Sequence, residues 1–410
     1  MCRCVSIVSK LAVQVVEIKA AWKAGGSEAC SKLVEEKRNE WKKVPLNVAV
    51  IGNSGVGKSS FINAIRGLDA DVEGAAEVGV TETTLKISSY THPNNEMLQF
   101  WDLPGVGTDE FPKATYLEKI NVDYYDFFLL ITATRFTEND TWLGNEFRER
   151  NKKYFFVRTK IEDEISNDKK AHRNTHNEEA VMKRIRESTE KHLRENGFED
   201  VPVFLIDNYE VQKFQFEELQ QRLVNDFPDL KRSALILSLQ ATSKQMIQVK
   251  VKELRDRIFK MATLSGLVAM VPVPGVSIAV DSGIISKEAH FYLTQLGLDE
   301  GSLQRCAQRY SLDYEELRGV VYDALGIKSA GIELVKWVSE MIKYLLLPAT
   351  LEMVAEETVR WFLPMIGSFL AAPLSFGATH STLTKILDKF EVAAIEVNRF
   401  AAKSVCTTQD

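Results

Sequence analysis

Cysteine is scarce in this chain. Five are spread over 410 residues, at positions 2, 4, 30, 306 and 406. An odd number without regular spacing excludes a disulfide framework and suits reduced thiols. Cys2 and Cys4 lack a second Cys/His pair at metal-ligand spacing, so a zinc site is not expected. They read as unmodified thiols, with S-acylation as the alternative. Histidine is equally thin, at six residues, and none sits beside a nucleophile motif, so triad chemistry is not expected. Basic charge is not in excess either. The 51 Lys and Arg face 57 Asp and Glu, for a net charge of −6, and a general nucleic-acid binder would show the opposite balance. A secretory leader is not expected, because Lys10, Glu17 and Lys19 interrupt the apolar N-terminus. Cys2 stands where N-myristoylation needs glycine.

Long unbroken apolar runs are almost missing. Residues 261–280 and 361–380 carry no charge over roughly the length of a bilayer span. Proline and glycine interrupt both, at Pro272, Pro274 and Gly275 in the first and at Pro364, Gly367, Pro373 and Gly377 in the second. Proline breaks a helix interior. Shorter buried helices joined by a turn are therefore expected, with a membrane-inserting hairpin and a true membrane span as the alternatives.

What is present is an ordinary globular mixture, 45% hydrophobic and 26% charged, long enough for more than one domain. Residues 1–44 read as two helices broken at Gly25-Gly26-Ser27. Residues 45–230 alternate short apolar runs with amphipathic stretches. Strands are predicted at 46–51, 85–90, 97–101, 126–132, 153–157 and 203–206, and the alternation indicates a mostly parallel sheet covered by helices. The polar stretch 162–179 reads as a solvated loop. Residues 231–410 lose the strand signal and read as all-α. There SLQRCAQRYSLDYEELRGVV suggests two short helices joined at a turn. With no basic recognition face, it is not read as a DNA-binding pair.

The chemistry is concentrated in Gly52-Asn53-Ser54-Gly55-Val56-Gly57-Lys58-Ser59-Ser60, placed between a strand and a helix. It fits G-x-x-x-x-G-K-[ST]. The glycines let backbone N–H groups turn onto phosphate oxygens, Lys58 reaches the outer phosphates, and the Ser59 hydroxyl is placed for Mg²⁺. A second metal-holding group is expected at another strand end. Asp102 supplies it in D-x-x-G, where the Gly105 N–H can sense a γ-phosphate. Between them lies GVTETTLK (79–86). Thr84, or its neighbour Thr83, is expected to complete the Mg²⁺ shell. The base-reading segment is Arg158-Thr159-Lys160-Ile161-Glu162-Asp163. Lys160 covers the base with its aliphatic stem, and the Glu162 carboxylate, with Asp163 next to it, accepts from the guanine edge. Asp207-Asn208, after the last strand, backs the base. The ligands expected are GTP or GDP with Mg²⁺. The residue after D-x-x-G is Val106, which cannot orient a water, so intrinsic turnover should be slow.

GNSGVGKSSFINAIRG, EGAAEVGVTETT, FWDLPGVGT, YLEKINVDYYDFFLLITATRF and YFFVRTK together resemble the immunity-related GTPases, the interferon-inducible family of vertebrates, in its GKS form. The likeness is strong over about 45–230 and continues more weakly through SLQRCAQRY, the PVPG segment and LSFGATH. It implies a Ras-like P-loop GTPase domain joined to a helical domain built from N- and C-terminal segments. It also implies slow GTP hydrolysis, GTP-dependent self-assembly with itself or with related GTPases, and a cytoplasmic protein that associates peripherally with intracellular membranes. Glu82 matches the switch glutamate that the family uses for catalysis in the dimer. Glu162 departs from the family's aspartate, and Asp207-Asn208 from its Ser-Asn. A nucleotide-binding scaffold without hydrolysis and a dynamin-like remodeller outside immunity are the competing readings.

Overall fold

The computed structural model describes residues 2–79, 86–269, 276–327, 336, 340 and 364–407. The chain divides into two compact units. One is Trp41–Gln240; the other joins both chain ends, Met1–Glu40 with Ala241–Asp410. The sequence reading put these divisions at 44/45 and 230/231.

The first unit holds strands β1 (Leu46–Ile51), β2 (Ser88–His92), β3 (Asn95–Asp102), β4 (Phe127–Thr132), β5 (Tyr154–Arg158) and β6 (Val203–Leu205). They form one sheet in the order β2-β3-β1-β4-β5-β6. Only β2–β3 is antiparallel; the other four pairings are parallel. The reason lies in the side chains. All six residues of β4 and all five of β5 are buried, which suits strands covered on both faces and not an alternating edge. Aromatic packing dominates one face, where Phe128 and Phe147 stack with centroids 4.2 Å apart and Phe198 meets Phe156 edge-on.

The helices over this sheet follow α1 (Cys2–Arg38) of the other unit. They are α2 (Lys58–Arg66), α3 (Tyr116–Lys119), α4 (Glu138–Glu149), α5 (Ile161–Ala171), α6 (Glu178–Glu195), α7 (Phe216–Asp226) and α8 (Asp229–Ser238). Their ends are written in the sequence. Thr137 and Asp140 make a reciprocal capping box for α4, and the Asn177 side chain caps α6. The helix α8 stays with the sheet because the Asn95 amide donates to Ser238 Oγ at 3.0 Å and the Asn94 amide to Ser238 O at 3.2 Å.

Helix α5 overturns the loop expected across 162–179. Ile161 and Ile165, one turn apart, are buried against Val181 and Ile185 of α6. Acidic residues occupy its first turn and Lys169 and Lys170 its last, an arrangement that complements the helix dipole. Two apolar residues anchor it, too few for a composition-based reading to detect.

Among the described residues the second unit is all-α: α1, then α9 (Lys244–Ala269), α10 (Val276–Gln295), α11 (Glu300–Arg309), α12 (Tyr314–Leu325) and α13 (Pro364–Thr407). Helix α1 is interrupted where expected. Gly25 and Gly26 leave helical geometry, and Gly26 takes φ +61°. The paired helices of 300–325 are likewise present. The turn expected within 261–280 falls on 270–275, outside the described residues. In the described part of 361–380, residues 364–380, the expected break does not occur, because α13 runs through Pro373. The lost backbone bond is outweighed by the turns that follow. Ser375 and Thr379 are buried against Ser265 of α9, at 2.8 and 2.9 Å, and Ser375 also donates to Asp281 of α10. No helix among the described residues is long and apolar enough to cross a membrane.

This unit also buries charge. Glu288 of α10 is fully buried and accepts from Arg38 Nε at 2.7 Å and from Arg257 Nε at 2.7 Å and Nη2 at 2.8 Å. Lys250 of α9 is 1% exposed, and its ammonium donates to the Gln295 amide oxygen at 2.8 Å. Burial lowers the Lys250 pKa to about 7. In the unfolded chain the value is about 10.4. Between those values the unfolded state holds the proton and the folded state does not, so stability rises with pH from about 7 upward. Below pH 7 the penalty, on the order of a few kcal/mol, is present in full. Lys250→Met is therefore expected to raise the melting temperature at pH 7, and its advantage should narrow by pH 9. An advantage that is absent, or that grows with pH, would contradict this.

Candidate nucleotide-binding site

Parallel pairing carries the ends of β1, β3, β4 and β5 to one edge of the sheet, and the motif residues meet there. The loop after β1 turns tightly. A Cβ on Gly52 would lie 2.1 Å from the Ile131 carbonyl oxygen of β4, so only glycine allows the chain to pass. Gly57, at φ +90°, caps α2. The first intrahelical bond runs from Phe61 N to Gly57 O at 2.8 Å. A helix leaves its first N–H groups without intrahelical partners, and this positive end suits phosphate.

Lys58 and Ser59 are both buried. The Lys58 ammonium donates to Asn53 O at 3.3 Å and lies 4.0 Å from Asp102 Oδ1. The Ser59 hydroxyl donates to Asp102 Oδ2 at 2.9 Å. Asp102 ends β3 and is 2% exposed. A hydroxyl and a carboxylate at this spacing, both oxygen donors, fit a hard divalent cation such as Mg²⁺. Gly105 lies against the same loop; a Cβ there would be 3.4 Å from Gly52 O. Val106 is buried and its carbonyl accepts from the Asn139 amide at 3.0 Å, so it points no polar group at the site.

Ser54, Gly55, Gly57, Lys58, Ser59, Ser60, Lys160, Glu162, Asp207 and Asn208 line one cleft of about 350 Å³. Gly52, Asn53, Val56 and Thr159 are not among its lining residues. The Thr159 hydroxyl donates to Val56 O at 2.6 Å, tying the loop to the end of β5. The Asn208 amide donates to Gly57 O at 3.0 Å. Lys160 takes a left-handed backbone, φ 59°, at the start of α5. Asp207 accepts from the backbone N–H groups of Glu162, Tyr209 and Glu210, so it shapes the loop after β6 and ties it to the start of α5.

Sequence reading missed four lining residues: Val78, Gly79, Tyr209 and Glu210. Tyr209 is 74% exposed, with its hydroxyl 3.4 Å from Ser60 Oγ. Its position next to Asp207-Asn208 was the available signal. Burial raises the Glu210 carboxyl pKa, helped by the charges of Glu162 and Asp207. Glu82, Thr83 and Thr84 lie outside the described residues.

Residues 12–323 match the family described as Interferon-inducible GTPase (IIGP). Among curated proteins, the chain is 35% identical over 315 residues to Interferon-inducible GTPase 1 of Mus musculus, covering 77% of this chain and 76% of that one. It is 31% identical over 375 residues to Interferon-inducible GTPase 5 of Rattus norvegicus, covering 91% and 79%. It is also 35% identical to T-cell-specific guanine nucleotide triphosphate-binding protein 2 of Mus musculus, over 70% of this chain and 69% of that one.

The buried Lys58 ammonium, at the start of α2 and beside Asp102, is the cation of this cleft suited to phosphate oxygens. Lys58→Ala should weaken binding of a nucleoside triphosphate by about 10–100-fold, measured by calorimetry. Unchanged affinity in a folded variant would refute the assignment of this cleft.

Proposed function

This chain belongs to the interferon-inducible GTPase family, and from that premise we propose that it binds GTP with Mg²⁺ and hydrolyses it slowly to GDP. We also read it as assembling with itself in the GTP state and acting at intracellular membranes, in cell-autonomous immunity. The observation that carries the nucleotide reading is the buried Ser59–Asp102 hydrogen bond at 2.9 Å. It joins the phosphate loop to the D-x-x-G strand, as a Mg²⁺-triphosphate site requires.

The chain's own residues divide the work. The α2 end and the Lys58 ammonium take the charge of the β- and γ-phosphates. Ser59 and Asp102 would hold the Mg²⁺, which when bound neutralises charge on the phosphate oxygens. The Gly105 N–H, beside the phosphate loop, is the group to register the γ-phosphate. Lys160 covers the base and Glu162 accepts from its edge. Val106 offers no group to orient the attacking water. Completion of the catalytic set therefore falls to the 79–86 segment, through Glu82 and Thr84, when two GTP-bound copies pack together.

A scaffold that binds nucleotide without turning it over is the second reading, favoured by the altered base site at Glu162 and Asp207-Asn208, while the intact Lys58, Ser59 and Asp102 argue against it. One assay separates the two. Phosphate release per molecule should rise with protein concentration. A flat specific activity would remove activation by self-assembly, and none at all would favour the scaffold. For the membrane role, flotation with liposomes should depend on a non-hydrolysable GTP analogue. Equal recovery with and without it would count against nucleotide-controlled membrane action.

A further inference from the structure

Glu162 does not face the cleft alone. The Lys213 ammonium, from the segment before α7, donates to Glu162 Oε2 at 2.6 Å and lies 3.4 Å from Glu178 Oε1 at the start of α6. The Lys213 side chain is 25% exposed and that of Glu162 is 37%. Burial pulls the Lys213 pKa down, but Glu162 and Glu178 outweigh it and hold the group as ammonium.

We propose that Lys213 is a specificity-determining residue, whose ammonium pins the Glu162 carboxylate at the base end of the cleft so that the pair, and not Glu162 alone, selects guanine. The inference rests on the GTP-binding reading above and names the group that controls its base choice.

Two features carry it. The first is length. Glutamate has one more rotatable bond than aspartate, so an unpinned Glu162 has more ways to miss the two donors of the guanine edge. An ion pair on one oxygen removes that freedom. An ionised carboxylate has about four acceptor positions, so Oε1 and the rest of Oε2 stay available to N1–H and the 2-amino group. The second is charge. Asp163, Asp207 and Glu210 also line this end of the cleft, with Lys160 as the cation at the start of α5. Asp207 is committed to three backbone N–H groups. Removing Lys213 would leave Glu162 among acids, and a displaced carboxylate cannot accept from both guanine donors.

The test compares GDP with IDP, which lacks the 2-amino group, in the full chain by calorimetry. Wild type should prefer GDP. Lys213→Met should lose about tenfold in GDP affinity and less for IDP, which keeps N1–H but lacks the 2-amino group, so the preference narrows; Lys213→Arg should restore it. Glu162→Gln should lose the preference too, which provides a second reading if Lys213→Met folds poorly. If Lys213 merely braces α5 against α6, both nucleotides weaken by the same factor and the ratio stands; that result overturns the proposal while leaving GTP binding intact. A wild type that binds neither GDP nor IDP overturns the nucleotide reading and this one with it.

Discussion

The buried contact between the Ser59 hydroxyl and the Asp102 carboxylate is the constraint on which the nucleotide unit is organised. It requires two strand ends to arrive together. They do so because β1 and β3 pair in parallel, with Val50 opposite Asp102, so both chains leave the sheet at the same edge. A slip of one residue would turn the Asp102 side chain to the opposite face and part it from Ser59. The large apolar side chains of β4 and β5 hold that register by packing, and the polar site at the edge depends on it. In an open parallel sheet the carboxyl ends of the strands are where ligands bind.

Much of this was legible in the residues. Strands β1, β4, β5 and β6 were legible as short apolar runs, because their burial leaves little room for polar side chains. The edge strand β2 carries polar residues at partly exposed positions, and it lies at Ser88–His92 where 85–90 was expected. The phosphate loop was legible because its glycines, lysine and hydroxyl answer separate physical demands at fixed spacing. Helix α5 was not, since two isoleucines among eleven residues make a weak pattern and its acids resemble a loop. Helix α13 was misread for the opposite reason. The proline rule is local, whereas the hydroxyls of Ser375 and Thr379 that hold the segment find partners on α9 and α10, far away in sequence. The Lys213–Glu162 pair spans 51 residues, and no motif spacing announces it.

The helical unit follows a different logic. Its core is not purely apolar. A fully buried carboxylate takes two arginines, one from α1 and one from α9, and a lysine lies buried with an amide for company. Buried ions are weak contributors to net stability, but breaking such a pair is costly. Arg38 is therefore a specific tie between the N-terminal helix and the C-terminal ones, which hydrophobic packing alone would leave free to slide. Helices joined by a contact across 250 residues of sequence are in this way made members of one unit.

The amide of Asn208 clasps the Gly57 carbonyl, and the hydroxyl of Thr159 clasps that of Val56. Each latch ties the segment after β5 or β6 to the loop after β1. A shift of one of these segments therefore pulls directly on the backbone of the other, so the two sides of the cleft are mechanically coupled instead of free to open separately.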